Sequence, residues 1–414
     1  MSFRLAVVLL PAICAGATVR ADEPTDQGEA FVGMRIYAQP APSDWLVVLT
    51  PSVTGRARAR SWLQFDASWS ADVVTGATPR IYGSPDVVSA ATRFQEVRNV
   101  IDVGAQAQLG PVLLSAGYAY GTENDYHSNL LRVNARVDLA NHNTILAGSY
   151  SHGFDRICDL AQPGVAILLR QPLDTSRGCF TGNPMLTEES LDIDSAEASI
   201  AQTFTPALIA TLVGSYQHLG GFQSNPYRTV RLDGGRFQAQ ESHPSLRDRG
   251  ALTARIRYAI ERWRATVGGD LRLYRDTWGV QSLTVELSWD QPFHPDRPAW
   301  RFGGRARGYV QSGAVFYRDA GEANSYELAG PAGNFFTADQ ALAPFADLLL
   351  EGRLSYVVDR AADRRVWRAF TQMNTTLLLE YVRGFALSPE PPNAARLRSW
   401  ASALVLSLSA TGRF

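Results

Sequence analysis

Lysine is absent from this chain. All 39 basic residues are arginine, set against 40 carboxylates, for a net charge of −1. A balance this even gives no electrostatic reason to expect a nucleic-acid partner. Cysteine is scarce, with three in 414 residues. After residue 21 there is no run of the roughly 18 apolar residues that a membrane-spanning helix requires. The six histidines (His127, His142, His152, His218, His243 and His294) form no HExxH and no tight metal pair. Gly-rich phosphate loops and Ca²⁺ loops are missing as well. The sequence therefore leads us to expect no catalytic residue, no cofactor and no metal site, and hence not an enzyme. Two rim pairings, His152 with Asp155 and Asp125 with His127, are the nearest approach to catalytic chemistry, but no third group at a fixed spacing orients either base.

What is present begins with an export signal. Arg4 precedes an apolar run over residues 5–17, and Val19-Arg20-Ala21 reads as a small-residue cleavage site. Residues 1–21 are thus read as a signal peptide, 22–29 as a short periplasmic segment and 30–414 as the folded domain. Cys14 follows Ile13, a poor lipoprotein signature, and belongs with the discarded segment. Cys158 and Cys179 remain in one long connection, which in an oxidising compartment reads as a single disulfide.

Mean hydropathy is only −0.12, although 45% of residues are hydrophobic. Local alternation reconciles the two. Leu63, Phe65, Ala67, Trp69 and Ala71 alternate with Gln64, Asp66, Ser68, Ser70 and Asp72. Val97, Ile101, Val103, Ala105, Ala107 and Leu109 oppose Arg98, Asp102, Gln106 and Gln108. Leu131, Val133, Ala135, Val137 and Leu139 oppose Arg132, Asn134, Arg136 and Asp138. Segments 251–258, 265–273, 283–289 and 300–310 follow the same period of two, the mark of a strand with one apolar face. The last fifteen residues do so as well: Leu404, Leu406, Leu408, Ala410 and Gly412 share a face, and the chain stops on Phe414. That ending resembles the closing strand of bacterial outer-membrane barrels, whose terminal aromatic belongs to the signal read by the barrel-assembly machinery.

The connections between these strands alternate short (57–60, 110–111, 140–143, 205–206, 259–262) and long (73–96, 153–190, 219–248, 313–345), with an intermediate one at 121–129. We read the parity as strict. Short periplasmic turns and long extracellular loops define an antiparallel up-and-down transmembrane β-barrel. It is all-β, of about sixteen strands starting near residue 32, or eighteen if a long connection hides a hairpin. Outer-membrane lipid is then the first partner. Aromatics near strand ends (Trp62, Trp69, Tyr118, Tyr120, Tyr150, Tyr216, Tyr258, Trp289, Trp300, Tyr356 and Tyr381) fit interfacial girdles.

The polar faces define candidate lumen residues: Arg56, Arg58, Asp66, Arg98, Asp102, Arg132, Arg136, Arg255, Arg257, Arg272, Glu286, Arg305, Arg307 and Arg353. Charge rings set pore selectivity, and an excess of Arg on these faces suits anionic solutes or an acidic polymer. The alternative is a web of Arg–carboxylate pairs that stiffens the wall. Tyr120, Gln106, Gln108, Asn134 and Tyr274 are compatible with a lumen along which a sugar chain slides.

Several loop segments carry a more specific signal. Asp72-Val-Val-Thr-Gly-Ala-Thr-Pro79, Asp86-Val-Val-Ser-Ala-Ala-Thr-Arg-Phe94, Glu123-Asn-Asp-Tyr126 and Ser224-Asn-Pro-Tyr-Arg228 stand with His243-Pro244, Arg247 and Arg249. They resemble a family of outer-membrane barrels catalogued as a domain of unknown function. Some barrels of this kind look like partners of outer-membrane polysaccharide export (OPX) proteins. The resemblance implies a translocation pore docked on a periplasmic OPX partner and passing a polysaccharide through its lumen. A general or anion-preferring diffusion porin, and a structural or receptor barrel acting through its loops, remain open alternatives.

Overall fold

The computed structural model describes residues 28–40, 45–75, 96–232, 237–294, 297–317, 335–359, 371–387 and 402–414. The signal peptide assigned to residues 1–21 lies outside them. Among the described residues eighteen strands follow one another. They are β1 (Gly28–Pro40), β2 (Trp45–Arg60), β3 (Leu63–Thr75), β4 (Glu96–Leu109), β5 (Val112–Thr122), β6 (Tyr126–Leu139), β7 (Thr144–Leu160), β8 (Leu186–Thr205) and β9 (Leu208–Gly221), then β10 (Thr229–Leu232), β11 (Phe237–Gln240), β12 (Leu246–Ile260), β13 (Ala265–Asp276), β14 (Gln281–His294), β15 (Arg297–Gln311), β16 (Phe345–Asp359), β17 (Gln372–Ala386) and β18 (Ser402–Arg413). Sixteen of them form one closed antiparallel barrel, while β10 and β11 make a separate hairpin. A hidden hairpin therefore exists, but it lies within the β9–β12 connection and does not widen the wall.

Closure comes from the two terminal strands. β1 pairs with β18 from Glu29↔Arg413 to Ala38↔Leu404, so neither edge is left open. In hydrocarbon this is obligatory, because unpaired backbone groups there have no water to turn to. Side chains alternate as a one-sided strand must. On β18, Leu404, Leu406 and Leu408 are exposed while Ala403 and Val405 are buried. Val32, Ile101, Val103, Leu131, Val133, Ile256, Leu271, Leu287 and Leu350 continue the exposed apolar wall around the barrel. An apolar surface of this extent is tenable only in lipid. Among the described residues no helix is long and apolar enough to cross a membrane.

Three readings of the sequence need correction. The barrel begins at Gly28, two residues before the expected start, since Gly28 already pairs with Ala57. The short–long parity is not strict: the extracellular β5–β6 and β13–β14 connections span only residues 123–125 and 277–280, whereas the periplasmic β16–β17 connection spans 360–371. The segment 121–129 looked like a loop because Gly121, Glu123, Asn124 and Asp125 disfavour strand, yet β5 and β6 extend almost to its centre. Tyr120 lies on the outer face with Tyr118 and Leu114, 36% exposed, not in the lumen. Tyr118 and Tyr120 share one face because residues two apart along a strand always do.

Candidate functional site: a paired interior wall and an extracellular cap

The fourteen charged candidates all sit on the face opposite the exposed apolar one. Most of them are engaged with each other or with further carboxylates. Arg132 on β6 forks onto Asp102 on β4, reaching across β5. Arg257 and Arg255 on β12 both approach Asp270 on β13, Arg255 at 3.5 Å. Arg307 meets Asp347 at 2.9 Å, Arg353 meets Asp290 at 2.9 Å, and Arg136 meets Asp138 at 2.8 Å. Arg98 lies 3.5 Å from Glu123, and Arg56 lies 3.4 Å from Glu29. Asp66 faces Gly104, close enough that a β-carbon there would meet its carboxylate at 2.8 Å. Arg58 shares the same face. Arg272 carries no ion pair among the described residues.

Register explains the densest part of this web. Asp270 sits directly opposite Glu286, and Glu351 directly opposite Glu380. Like charges placed in this way repel. Arg305 on β15 resolves the conflict by contacting Glu286 (3.5 Å), Glu351 (2.5 Å) and Glu380 (2.9 Å), and Arg35 on β1 reaches Glu380 from the other side at 3.2 Å. Val405 is buried beneath that last bridge. The expected excess of free Arg is therefore largely spent on wall carboxylates. Glu380, Asp290 and Asp347 were not identified from the sequence. Glu380 ends the run Leu377-Leu378-Leu379, where no alternation marks a polar face.

The second feature is a cap at the extracellular end. The described parts of the β7–β8 (161–185), β9–β12 (222–232 and 237–245) and β15–β16 (312–317 and 335–344) connections fold onto one another and onto the 277–280 turn. Ile167 and Leu168 pack on Val230, Ala239, Phe336 and Ala338. Trp278, Val280, Ala314, Phe316 and Leu342 form a second cluster. Backbone hydrogen bonds stitch the segments together: Leu173 N–H to the Pro226 carbonyl at 2.7 Å, Gln240 N–H to Arg170 at 2.9 Å, and Ser242 with Phe336 in both directions. Inward-facing wall residues are covered by this cap. Gln311 on β15 donates to the Ala341 and Ala343 carbonyls, and Arg247 on β12 stacks under Trp278 at 4.0 Å while pairing with Asp276. The connections thus fold into the barrel mouth.

A buried ionic hub fastens the cap. Arg228 contacts Asp339 at 2.7 Å and Glu241 at 3.2 Å, joining the β9–β12 and β15–β16 connections. Glu241 also accepts from the Asn225 N–H and the Thr337 hydroxyl. Burial opposes its charge, yet Arg228 and His243 prevail and hold it well below the usual carboxylate range. The Nδ1–H of His243 donates to the Gln223 carbonyl at 2.9 Å, and its Nε2 lies 3.5 Å from Glu241. The Cys158–Cys179 disulfide is formed, with a Cα–Cα distance of 5.8 Å, and packs against Leu173 and Tyr227.

The rim pairings suggested by sequence proximity do not form. His152 contacts Asp194 at 2.9 Å, while Asp155 accepts from the Tyr126 hydroxyl. His127 stacks on Phe180 at 4.1 Å, and Asp125 accepts from Tyr227. Cross-strand register, invisible along the chain, chooses these partners. Of the other lumen candidates, Gln106 and Gln108 lie on the interior face, Asn134 donates there to Ser115, and Tyr274 donates to Asp276.

A closed sixteen-strand wall with an apolar exterior and a charged interior defines an outer-membrane β-barrel. Within that class the chain belongs to the family described as "Protein of unknown function (DUF3570)", whose model matches residues 70–360. None of the curated proteins compared matches it. Among solved structures it is similar to a "Bacterial polysaccharide outer membrane secretin", at 10% identity over 94% of this chain and 99% of that one, with a TM-score of 0.49. It is also similar to Pseudomonas aeruginosa OccD3 (OpdP), at 7% identity over 94% and 91% of the two chains, with a TM-score of 0.42. A third is Pseudomonas aeruginosa OccK2 (OpdF) in complex with glucuronate, at 8% identity over 94% and 98%, with a TM-score of 0.41.

Proposed function

We propose that this barrel is a gated outer-membrane conduit for a polysaccharide, which it receives from a periplasmic OPX protein. The observation that carries the reading is the charge pairing of the interior wall. A lumen whose arginines are bound to neighbouring carboxylates presents hydrogen-bonding groups without a strong field of one sign. Such a surface neither concentrates small anions nor holds a long polar chain at any one point. The cap supports the same reading, because loops fastened over the mouth by a buried ionic hub supply the gate that such a conduit needs. A periplasmic partner would deliver the chain from the opposite end, where the connections around residues 61–62, 110–111 and 206–207 are short.

One observation favours an anion-preferring diffusion porin: Arg272 stands on the interior face without an ion pair among the described residues. The two readings separate in one experiment, a clean in-frame deletion scored for surface and secreted polysaccharide with envelope integrity as control. Loss of one polysaccharide, restored by the wild-type gene, is expected. Unchanged polysaccharide, with reduced uptake of small anions, would replace the conduit by the porin.

A further inference from the structure

A hollow of about 320 Å³ opens in the cap between the end of β8, the two ends of the β9–β12 connection and the short 3-10 turn Ile167–Leu169. Its floor is fixed. Gln240 is buried and donates to Asp159 and the Pro226 carbonyl, and Glu241 is committed to Arg228, Asn225 and Thr337. One wall exists only because residue 221 is glycine. Its φ is +119°, and a β-carbon there would strike the Ser190 carbonyl at 2.2 Å.

The side chains around this floor are in a different condition. Arg170, Glu189, Ser190, Ser242 and Ser245 all line the hollow, and among the described residues none makes a side-chain hydrogen bond or ion pair. Elsewhere in the cap, polar side chains are heavily cross-linked to one another. Five polar residues, three exposed at the rim and two half-buried, line one cavity beside Phe222 and Ile167 with side-chain hydrogen-bonding capacity left for a ligand, the pattern of a binding site. Their chemistry narrows the ligand. Three hydroxyls both donate and accept, the guanidinium only donates and the carboxylate only accepts. The two charges cancel, so the hollow has no net attraction for an anion or a cation. A ring bearing several hydroxyls, with one apolar face to lie against Phe222, satisfies this arrangement.

The geometry points to a subsite for an uncharged glycosyl unit in this hollow, contacted by Arg170, Glu189, Ser190, Ser242 and Ser245. In placing glycan at the extracellular mouth it rests on the conduit reading, and it adds a point at which the emerging chain is held. Position agrees with that role: the hollow is built from the same β9–β12 connection that Arg228 ties to Asp339, so an occupant there touches the segment that closes the mouth.

The test is isothermal titration of the purified full-length protein in detergent. The probes are neutral hexasaccharides of glucose, mannose and galactose, with a hexauronate as the charged counterpart. Ser245→Trp obstructs the hollow from its exposed rim, and Arg170→Ala removes a donor without touching the hub. His142→Ala, on a periplasmic turn, serves as control. Binding of at least one neutral hexasaccharide, weakened about tenfold or more in both variants and unchanged in the control, is expected. Tighter binding of the hexauronate, equal binding by all variants, or no saccharide bound by the wild type would each overturn the subsite. The deletion experiment is read separately: lost polysaccharide without saccharide binding refutes the subsite alone, and retained polysaccharide with specific binding refutes the conduit alone.

Discussion

Arg228 is the residue on which the cap most depends. It is 4% exposed and holds two carboxylates, Asp339 and Glu241, the second of which has only the more distant His243, at 3.5 Å, as a further cationic neighbour among the described residues. Removing one partner from a buried ion pair typically costs about 3–5 kcal/mol, because the other charge is left stranded. Arg228→Met is therefore expected to open the cap to proteolysis within 222–245 and 335–344 while the barrel keeps its heat-modifiable migration. Adding Glu241→Gln should recover part of the loss, since it removes the stranded charge. Equal protease resistance in wild type and Arg228→Met would show that the hub does not fasten the cap. Glu123, in the β5–β6 turn, behaves oppositely to Glu241. Burial, with Asp125 and Asp72 nearby, outweighs Arg98 and raises it from 4.5 to about 7. The folded state thus binds this proton more tightly than the unfolded one. Its contribution is fully present below pH 4.5 and is lost as pH rises through about 7, by roughly 3 kcal/mol. Amide exchange around residues 122–127 should quicken across that window, beyond the intrinsic effect of pH, and Glu123→Gln should abolish the excess. An excess that persists in the variant would assign it to another group.

At the scale of single elements, the disulfide gives the sharpest expectation. It closes a loop with a sequence separation of 21, for which the chain-entropy model gives about 3 kcal/mol. Cys158 already belongs to β7, whose pairing with β8 runs on to Leu160↔Leu186 without help from sulfur. Reduction should therefore loosen 161–185 and leave the barrel intact. Global unfolding on reduction alone would contradict this. Elements also show what could be read from the chain and what could not. β4, β6 and β18 were legible because lipid on one side and water on the other impose a period of two. β17 was harder, since Leu377-Leu378-Leu379 hides its inner position behind an unbroken apolar run. The disulfide was legible because Cys158 and Cys179 are the two cysteines outside the segment read as a signal peptide. The cap was not, because its bonds join residues far apart in sequence: Tyr227 to Asp125 across 102 positions, and Thr337 to Glu241 across 96. Nor could the β10–β11 hairpin be recognised as separate from the wall, since four-residue strands carry too few alternations to show which sheet they join.

At the scale of the whole molecule, the interior wall decides between a stiffened neutral conduit and a selective one, and Glu380 is where the two can be told apart. It stands between Arg35 and Arg305, contacting both, and no other carboxylate among the described residues reaches Arg35. Both arginines are partly open to the interior, with side chains 46% and 32% exposed, so their bridges add little to folding but cancel charge where a solute would pass. If the wall is compensated as the pairing indicates, the wild-type barrel should discriminate weakly between K⁺ and Cl⁻ in planar bilayers. Glu380→Gln then leaves the guanidinium of Arg35 without a carboxylate and that of Arg305 with fewer, and the reversal potential should move toward anion selectivity. Arg272→Gln should move it the other way, because the charge removed there carries no ion pair among the described residues. The opposite signs matter more than the sizes: a lumen whose selectivity is set by the cap alone would respond to neither substitution, whereas one set by its wall must respond to both.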